Sequence, residues 1–547
     1  MTDTTTVSTQ RVEPLELTAD VLVIGGGPAG TWAAWSAASR GASVVLADKG
    51  YCGSSGATAP SGVGVWYVPP VLEEREKAKA SREAMGGFLA DHGWMDRVLD
   101  KTFENVGILA EWGYPFPTNE GGDQVRRGLQ GPEYMKLMRK VVKQAGVRIL
   151  DHSPALELLL DADGVVAGAA GVQRQEERPW SVKAGAVVIA TGGCAFLSKA
   201  LGTNVLTGDG ALMAAEAGGE MSGMEFSNAY SIAPAFSSVT KSAYYSWASF
   251  TYEDGRIIEG AGSQRGRSVI ARTLLTQPVM CQLDKADAET QQWMRLGQPN
   301  FFLPFDRAGI NPFTTRFPVT MRLEGTVRGT GGIRIADRGC ATTSPGLYAA
   351  GDAATRELIC GGFTGGGSHN AAWAMSSGYW AGESAAAYAH SLGEKAGERR
   401  LRGAGRAALR PTSDTGTSFA TREIVEGVQA EVAPYDKNLF RTEEGLAGSL
   451  TRLNGLWREV QGRPRDIGGA EAAMKAREAA AMVATARWMY ASARVRTESR
   501  GMHKRVDHPA QSPDLHYRLL SGGLDTVWVK PDPASVAAPA PKATVSP

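Results

Sequence analysis

The sequence has few residues of the kinds that bind metals. Its 547 residues include five cysteines, and no two of them form a Cys-x-x-Cys pair. Thiols spaced this widely exclude the usual iron–sulfur and zinc motifs and are typical of free cysteines in a reducing compartment. We therefore expect no metal site in this chain and a cytoplasmic location. The cysteines are Cys52, Cys194, Cys281, Cys340 and Cys360.

Net charge and long apolar runs are also missing. The 58 lysines and arginines nearly balance the 57 aspartates and glutamates, which leaves a formal charge of +1. A balanced chain has no electrostatic preference for nucleic acid or for an anionic membrane surface. No apolar run reaches the ~20 residues that span a bilayer. Residues 1–18 lack the basic start and apolar core of a secretory signal. We expect no nucleic-acid partner and no membrane insertion.

What the sequence does contain is a glycine-rich turn between an apolar run and an alanine-rich segment. Residues 21–30 read VLVIGGGPAG, and the next apolar run ends at Asp48. In dinucleotide-binding folds the first glycine makes a tight turn, the second lets the backbone approach a pyrophosphate, and the third lets helix and strand pack closely. Gly25, Gly27 and Gly30 have this spacing, and Asp48 can accept hydrogen bonds from a ribose. The pattern predicts an α/β, Rossmann-like domain in a chain long enough for two or three packed modules.

Two later segments indicate which dinucleotide binds. Residues 185–193 read GAVVIATGG and residues 346–352 read GLYAAGD, and each is an apolar run that ends in small residues. FAD-binding domains assemble one nucleotide fold from such distant segments. The first is expected to close over the adenosine side, and Gly351 with Asp352 to contact the ribityl and phosphate region. An N-terminal domain that binds NAD alone would explain neither segment.

Together these motifs resemble those of a superfamily of FAD-dependent flavoproteins, which contains the flavin-carrying chains of fumarate reductase, succinate dehydrogenase, L-aspartate oxidase and adenylylsulfate reductase. The resemblance runs from about Ala19 to about Lys530. It implies a Rossmann-like FAD domain, an inserted α+β capping domain that closes over the flavin, and a C-terminal helical module. It is carried by VLVIGGGPAG (21–30), GSSGATAPSG (53–62), ATGG (190–193), TGDG (207–210), EF (225–226), GTGGI (329–333), GLYAAGD (346–352) and ESRGMHKRVDHP (498–509).

Changes of composition suggest where these parts begin and end. The middle of the chain is rich in aromatic residues, the region after residue 415 has helical periodicity with many alanines, and the end is rich in Pro and Ala. An arginine-rich stretch after residue 390 is interpreted as a solvated linker rather than a binding patch. We expect a disordered lead at 1–18, the FAD-binding domain at 19–213 and 326–390, the capping or substrate domain at 214–325, the linker at 391–414, the C-terminal helical domain at 415–530 and a disordered tail at 531–547.

The resemblance also implies which residues contact FAD. Superfamily members that bind flavin covalently use a histidine in the serine-rich loop, and Ser54, Ser55 and Gly56 occupy that stretch here. We therefore expect non-covalent FAD. The predicted contacts are Gly25, Gly27, Pro28, Ala29, Gly30, Asp48, Lys49, Ser54, Ser55, Gly56, Ala57, Ser61, Gly62, Ala155, Ala190, Thr191, Gly192, Asp209, Gly351, Asp352, His369, Asn370 and Ala371.

The dicarboxylate site of the superfamily is largely missing. Members that act on fumarate or succinate hold it with two histidines and two arginines. By the resemblance, Tyr230 stands where one histidine is expected, and Val327 or Arg328 stands where the other is expected. Gly366 lies near the place of one arginine, so only Arg267 keeps a counterpart. Because two carboxylates need at least two fixed cationic groups in low dielectric, we predict that the substrate is neither fumarate nor succinate. L-aspartate is disfavoured for the same reason.

Three residues are the candidates for chemistry. His369 lies in the segment that meets the flavin ring in relatives, and its Ser-His pair resembles adenylylsulfate reductase more than fumarate reductase. The alternative is that it only packs against the flavin. Arg267 is a substrate anchor or acid, or else part of a structural ion pair, and Tyr230 is a substrate contact or a packing residue. The remaining candidates in the late motif are interpreted as structural: His503, His508, Arg500 and Arg505.

Three functions stay open at this point. The first is an FAD-dependent oxidoreductase that transfers a hydride between flavin N5 and a small-molecule substrate. A more specific version resembles the catalytic chain of adenylylsulfate reductase and works with a ferredoxin-type iron–sulfur partner. The second is an FAD-binding electron-relay subunit without a substrate of its own. The third, a flavin oxidase that passes electrons directly to oxygen, is the most remote.

Overall fold

The computed structural model describes residues 13–240, 243–263, 266–363, 368–393, 395–410, 418–465 and 468–535. The expected lead up to residue 12, the end of the expected tail, and Gly366 lie outside these ranges. Within them, no helix combines the length and the apolar character that crossing a membrane requires.

The part of the chain before residue 220 alternates strands and helices. Apolar runs bounded by glycine or polar turns form the strands, and the alanine-rich segment after the glycine turn forms the first helix. The strands are β1 (Leu15–Ile24), β2 (Val44–Ala47), β3 (Gly62–Gly64), β4 (Gly128–Gln130), β5 (Arg148–Leu150), β6 (Ala155–Leu160), β7 (Val166–Gln173) and β8 (Arg178–Ile189), and the helices are α1 (Pro28–Ala38), α2 (Leu72–Glu83), α3 (His92–Glu111), α4 (Gly131–Gln144) and α5 (Asp209–Glu216).

The middle of the chain is a mixture of short strands and short helices. Its strands are β9 (Met221–Ser222), β10 (Ala229–Pro234), β11 (Ser249–Thr251), β12 (Val279–Gln282), β13 (Phe317–Glu324), β14 (Gly332–Ile333) and β15 (Leu347–Ala349). Its helices are α6 (Arg267–Leu274), α7 (Ala288–Gly297), α8 (Pro299–Ala308), α9 (Gly325–Arg328) and α10 (Glu357–Cys360).

The last third is mainly helical. Its helices are α11 (Ser368–Leu392), α12 (Lys395–Glu398), α13 (Thr421–Val432), α14 (Tyr435–Asn438), α15 (Glu443–Glu459) and α16 (Gly469–Val495). Its strands are β16 (Arg402–Gly403), β17 (Ser418–Phe419), β18 (Arg463–Pro464), β19 (Leu519–Gly522) and β20 (Trp528–Pro531).

An eight-stranded mixed sheet forms the centre of the molecule. Its order is β16-β6-β7-β8-β1-β2-β5, and β15 also pairs with β8. Strands β1, β2, β5, β8 and β15 pair in parallel, so the glycine turn after β1 and the small residues after β8 and β15 lie at one edge. Ligands bind at this carboxyl edge in open α/β sheets. The sheet and its helices confirm the predicted α/β, Rossmann-like class.

Helices α1 and α11 pack closely on the sheet. At Gly378 and Gly382 an added Cβ would overlap the backbone of Ala29 and Ala33. Glycine at these two positions therefore lets the backbones approach, which packs the first half of α1 against the middle of α11. Both helices are rich in buried alanine, as close packing of two helices requires.

The inserted region carries its own antiparallel sheet, with the order β10-β13-β12-β11. Helices α6, α7 and α8 accompany it, and its core is a cluster of phenylalanines that includes Phe301, Phe305 and Phe317. The sheet occupies 229–324, inside the segment expected to form the capping domain. The predicted α+β character is confirmed.

The C-terminal part is a helical module with a returning hairpin. Helix α16 packs against α13 and α15, and it also contacts α5 of the FAD-binding part. The hairpin β19–β20 pairs with β9, which in turn pairs with β14. The late chain thus adds strands to the earlier part as well as forming helices.

Three expectations about chain segments need correction. The start of the expected tail is ordered, because β20 ends at Pro531 and Asp532 forms ion pairs with Arg334 and Arg518. Residues 15–18 are not a disordered lead, because β1 begins at Leu15 and pairs with β8 from Trp180 onward. The arginine-rich stretch is not a solvated linker throughout, because β16 pairs with the edge strand β6. Arg410 also forms two hydrogen bonds of 2.6 Å with the carboxylate of Glu157. Residues 394 and 411–414 of the expected linker lie outside the described ranges.

Candidate functional site

A cavity of about 1740 Å³ runs from the glycine turn to the inserted sheet. Cavities for a single small ligand measure roughly 300–1,000 Å³, so this one has room for a dinucleotide and a substrate. We call the part lined by the ends of β1, β2, β8 and β15 and by residues 55–64 the cofactor half. The capped half is the part lined by the inserted region, by residues 81–85 and by residues 501–504.

The glycine turn has the geometry that a pyrophosphate needs. Gly25 has a φ of +110°, and a Cβ there would overlap the carbonyl of Ala190. At Gly30 a Cβ would overlap the carbonyl of Gly25, so this glycine permits packing of helix on strand. At Gly27 a Cβ would meet no atom within 4 Å, because the position opens onto the cavity. Helix α1 begins beside it without a side-chain cap, which leaves its first N–H groups available for an anion.

Asp48 closes the same end of the cavity. Its carboxylate accepts hydrogen bonds from the backbone N–H groups of Gly26 (2.5 Å) and Gly50 (2.7 Å) and from the Ser55 hydroxyl (2.8 Å). These donors fix a buried carboxylate at the edge of the cavity. Since a carboxylate can accept about four hydrogen bonds, one more can come from a ribose hydroxyl. The glycine turn and this acid fit a bound FAD.

Lys49 connects the cofactor half to the helical module. Its ammonium group donates to Thr207 (2.8 Å), Asp209 (2.5 Å) and Glu478 (2.7 Å), and Glu478 lies on α16. Burial opposes the charged form, but the two carboxylates outweigh it and raise the pKa of Lys49 above its ordinary value. Lys49 therefore stays charged beside the cavity and links three segments distant in sequence.

All but three of the residues predicted to contact FAD line the cavity. The three exceptions are Gly30, Ser54 and His369. Gly30 faces β1 rather than the cavity. Ser54 precedes Ser55, whose hydroxyl is the one that turns to Asp48. None of the seven histidines, all of which lie in described ranges, lines the cavity.

His369 does not lie where the sequence suggested. It is fully buried, and its ring stacks on Trp66 with centroids 4.1 Å apart. Successive residues of a helix point about 100° apart, and Asn370, Ala371 and Ala374 are the residues of α11 that face the cavity. The side chain of His369 consequently points behind the cavity wall. The prediction that it acts on substrate directly is not supported by this position.

Arg267 begins α6 and lines the capped half. Its Nε donates to the carbonyl of Ser263 at 2.6 Å, which holds the guanidinium over the cavity. Burial and the neighbouring charge of Arg328 lower the pKa of Arg267 to about 10, while Glu324 opposes the shift. A guanidinium with a lowered pKa can anchor an anion or release a proton.

Tyr230 lies on β10 and also lines the capped half. Its hydroxyl donates towards the carbonyls of Val432 (2.9 Å) and Ala433 (3.1 Å), and its ring packs edge-on against Tyr435. Burial raises the pKa of Tyr230 well above its ordinary value. The hydroxyl is therefore neutral and directed at the helical module, while the ring faces the cavity.

Sequence reasoning treated Arg328 only as a residue in place of a missing histidine. In the structure it is buried on α9 and lines the capped half. Its Nη1 donates to Ser231 at 3.3 Å, and its Nε lies 3.5 Å from the Glu324 carboxylate. Its place in a Gly-Thr-Val-Arg segment without periodicity gave no signal of this role. Arg82, Tyr244, Trp293 and Lys504 also line the capped half and were not predicted.

The late motif forms a buried ladder of charges beside the cavity. Arg496 contacts Glu225 (2.8 Å) and Glu498 (2.9 Å), and Glu498 also contacts Arg500 (2.7 Å). Arg500 further donates to the carbonyl of Gly87 at 2.5 Å, which ties the late chain to the FAD-binding part. These contacts agree with the structural interpretation of Arg500.

His503 belongs to the same buried region. Its Nδ1 accepts from Arg441 Nη1 at 2.7 Å, so the proton sits on Nε2, which donates to the carbonyl of Arg496 at 2.9 Å. Burial and the Arg441 charge lower the pKa of His503 well below its ordinary value. A neutral ring with both nitrogens engaged agrees with its interpretation as structural.

One buried carboxyl group, on α10, has a strongly raised pKa. Glu357 accepts from the Ser222 hydroxyl at 2.8 Å and is fully buried. Burial, with the nearby Glu225 carboxylate as a second cause, raises the pKa of Glu357 to about 8. The group is therefore protonated at neutral pH.

Within the described ranges, no cluster of three or more His, Cys, Asp and Glu side chains is arranged to hold a metal ion.

Comparison with known families gives two matches. Residues 20–230 match the family described as FAD binding domain, and residues 431–530 match the family described as fumarate reductase flavoprotein C-term. Together the matches span more than half of the chain.

Two curated relatives match over most of the chain, and a third matches over about a third of it. An L-aspartate oxidase of Streptomyces coelicolor is 27% identical, over 92% of this chain and 90% of its own length. A subunit of the CoM/CoB fumarate reductase of Methanothermobacter marburgensis is 24% identical, over 92% of this chain and 96% of its own. A urocanate reductase of Eggerthella lenta is 32% identical over 34% of this chain and 33% of its own.

Solved structures have the same fold. An E. coli quinol fumarate reductase chain superposes with a TM-score of 0.79 at 20% identity, covering 94% of this chain and 97% of that one. An adenylylsulfate reductase chain of Archaeoglobus fulgidus superposes with a TM-score of 0.73 at 18% identity, covering 95% and 96%.

Proposed function

This chain belongs to the superfamily of FAD-dependent flavoproteins that contains fumarate reductase, L-aspartate oxidase and adenylylsulfate reductase, and we propose that it transfers a hydride to or from a small organic substrate other than fumarate or succinate. It is an FAD-dependent oxidoreductase. The finer part of the proposal concerns the substrate, which would bind in the capped half of the cavity.

The observation that carries the proposal is the absence of histidine from the cavity. All seven histidines lie in described ranges, and none lines it. Tyr230, Val327 and Arg328 line the capped half instead, at the places where the superfamily resemblance led us to expect the two dicarboxylate-binding histidines. A site with one retained arginine and without these histidines cannot hold two carboxylates in the usual way.

The cofactor half would hold FAD through backbone and a few fixed side chains. The N–H groups at the start of α1 face the space above Gly27, where the pyrophosphate charge would lie. Asp48 would accept a ribose hydroxyl, and Asn370 and Ala371 at the start of α11 would meet the flavin ring. When bound, FAD supplies the hydride acceptor or donor at its N5 atom.

The capped half would orient the substrate and exclude water. Arg267 is the proposed anchor, and its lowered pKa lets it also hold or release the proton that accompanies hydride transfer. Tyr230 is proposed to contact substrate with its ring, since its hydroxyl is engaged by backbone carbonyls. In this proposal His369 supports the start of α11 through Trp66 and does not contact substrate.

The experiment uses purified protein loaded with FAD, under anaerobic conditions. Succinate and L-aspartate at millimolar concentration are expected to leave the oxidised flavin spectrum unchanged, whereas dithionite bleaches it fully. Acid precipitation is expected to release all FAD into the supernatant, because no histidine lies at the cavity. Rapid bleaching by succinate would contradict the proposal, and flavin that stays on the precipitate would contradict non-covalent binding.

We also propose that a separate protein of the ferredoxin type exchanges electrons with this chain. The support is that a relative matching 92% of the chain is named as one subunit of a fumarate reductase. Reduced protein mixed anaerobically with an oxidised ferredoxin carrying two [4Fe–4S] clusters should reduce it in seconds. Transfer no faster than with free FADH₂ would contradict this second proposal.

A further inference from the structure

The charges that line the two halves of the cavity differ in sign. In the cofactor half the lining includes three aspartates, Asp48, Asp209 and Asp352. In the capped half it includes Arg82, Arg267, Arg328 and Lys504, and no Asp or Glu among the described residues lines that half. A wall with several basic groups and low-dielectric surroundings attracts and orients an anion.

Two of these cations have hydrogen-bonding capacity to spare. Arg267 uses its Nε on the Ser263 carbonyl, and its two terminal nitrogens have no partner among the described residues. In Arg328, Nη1 donates to the Ser231 hydroxyl, and Nε lies 3.5 Å from the Glu324 carboxylate. Its Nη2 likewise has no partner among the described residues. The charge of Arg328 destabilises that of Arg267 and contributes to its lowered pKa. An anion held by both guanidinium groups would relieve this repulsion.

The capped half also has an apolar and aromatic wall. Tyr244 and Trp293 contact each other edge-on with centroids 5.8 Å apart, and both line the cavity beside Leu296 and Met85. The exposed fractions of Trp293 and Leu296 are 55% and 76%, so both side chains are open to solvent as well as lining the cavity. A contiguous apolar surface that lines a cavity offers a place where an apolar group of a ligand can bind.

We infer that the substrate is an amphipathic monoanion, with one carboxylate or similar anionic group held between Arg267 and Arg328 and an apolar or aromatic body against Tyr244 and Trp293. The inference rests on the proposed function and names the class of substrate for the same site. In this inference Arg328 recognises the anionic group of the substrate. Arg328 is not one of the two histidines and two arginines that bind dicarboxylates in the superfamily. A small dicarboxylate such as fumarate would leave the aromatic wall uncovered.

The test measures binding to the FAD-loaded protein through the change in its flavin absorption spectrum. The probes are trans-cinnamate, its neutral amide cinnamamide, and fumarate. Because a charge-assisted hydrogen bond contributes about 1.5–3 kcal/mol, cinnamate should bind at least about tenfold more tightly than cinnamamide. Cinnamate should also bind more tightly than fumarate, because only its phenyl ring covers the aromatic wall.

Variants assign the preference to residues. Arg328→Gln should lower the affinity for cinnamate about tenfold and leave that for cinnamamide unchanged. Trp293→Ala should weaken both aromatic probes and leave fumarate unchanged. The matched control is Arg307→Gln. Arg307 is exposed, lies in the same inserted region and does not line the cavity, so this variant should bind all three probes with wild-type affinity.

The outcomes separate this inference from the proposed function. Equal affinities for cinnamate and cinnamamide in the wild type, or an equal loss in Arg328→Gln and Arg307→Gln, would overturn the inference. Rapid bleaching of the flavin by succinate would overturn the proposed function instead, whatever the probes show. If Arg328→Gln fails to fold, Arg328→Lys is the second variant, because lysine retains the positive charge without the two-nitrogen geometry of a guanidinium group. Arg328→Lys should keep part of the preference for cinnamate over cinnamamide. Complete loss of that preference in folded Arg328→Lys would contradict a role for the charge.

Discussion

The cofactor half of the cavity is lined mainly by backbone and small residues, whereas the capped half is lined by long side chains from several distant segments. In the first, Gly25, Gly27 and Ala190 leave room for a ligand that N–H groups can bind. In the second, Arg267, Arg328 and Trp293 are carried by separate elements of the inserted region and its return. The difference means that the cofactor site depends on chain geometry, while the substrate site depends on the identity of a few side chains.

The largest effect is expected from closing the cofactor half. Gly27→Val should abolish FAD binding, because its side chain would fill the space where the pyrophosphate approaches. The protein should still fold, since a Cβ at this position meets no protein atom within 4 Å. Flavin content per chain and the melting temperature measure the two effects separately.

The control for that prediction is another glycine with open space. Gly107→Ala lies on α3, where an added Cβ also meets no atom within 4 Å, and it is away from the cavity. This variant should bind FAD normally. Full FAD content in Gly27→Val would show that the glycine turn does not define the cofactor half.

The next effect should separate the two halves. Arg267→Gln should retain FAD and lose about a hundredfold in turnover, because a charge-assisted contact made in the transition state typically contributes ~3 kcal/mol. The measurement is the rate at which the reduced variant is reoxidised by the unsaturated carboxylate that the wild type reduces fastest. An unchanged reoxidation rate in Arg267→Gln would show that Arg267 takes no part in the reaction. Loss of FAD from this variant would show that the cofactor half and the capped half are not independent.

The pH dependence of the same residue provides a second check. Arg267 must be protonated to anchor an anion, and its pKa is lowered to about 10. Anion affinity in the wild type should therefore fall as the pH rises through about 10. Arg328→Gln should move this fall to higher pH, because the Arg328 charge is one cause of the lowered pKa. A fall at the same pH in both proteins would contradict the coupling.

A smaller effect is expected at Glu357, which is buried outside the lining of both halves. Its pKa in the folded protein is raised to about 8 by burial and by Glu225, above the ordinary 4.5. The folded state therefore holds a proton that the unfolded state releases, so stability should fall as the pH rises from about 4.5 to 8. Glu357→Gln should flatten this slope of melting temperature against pH. An unchanged slope would show that Glu357 is not the group responsible.

The smallest effect is expected for Tyr230→Phe. The variant loses one buried hydrogen bond to the carbonyls of Val432 and Ala433, which costs about 1 kcal/mol. The ring that faces the cavity is kept, so turnover should fall less than about threefold. Thermal unfolding measures the first effect and rapid mixing the second. A loss as large as that of Arg267→Gln would show that the hydroxyl takes part in the chemistry.

The same contrast explains what could be predicted from the sequence. The cofactor half was predictable because its requirements are local: a glycine at a given position follows from one strand, one turn and one helix. The capped half was not, since Arg328 and Lys504 have no local pattern and become neighbours only through the insertion and the returning chain. The orientation of His369 could not be predicted, because a motif gives a position along a helix, whereas a one-residue step decides whether the side chain faces the cavity or Trp66.

The packed arginine-rich stretch shows the same limit. Its composition indicated a solvated linker, but Arg410 pairs with Glu157, which is more than 200 residues earlier. β16 was also not predictable, because two residues that join the edge of a sheet have no periodicity to detect. Contacts of this kind depend on the tertiary fold rather than on local sequence.

The most direct test of the account is the reaction of the reduced protein with fumarate. Wild-type protein loaded with FAD is reduced anaerobically and mixed in a stopped-flow instrument with millimolar fumarate, while the return of flavin absorbance is recorded. The account predicts no reoxidation faster than with buffer alone, because the capped half has one anion-binding arginine pair and no histidine at the cavity. Reoxidation within the dead time or at several per second would show that Tyr230 and Arg328 replace the missing histidines after all.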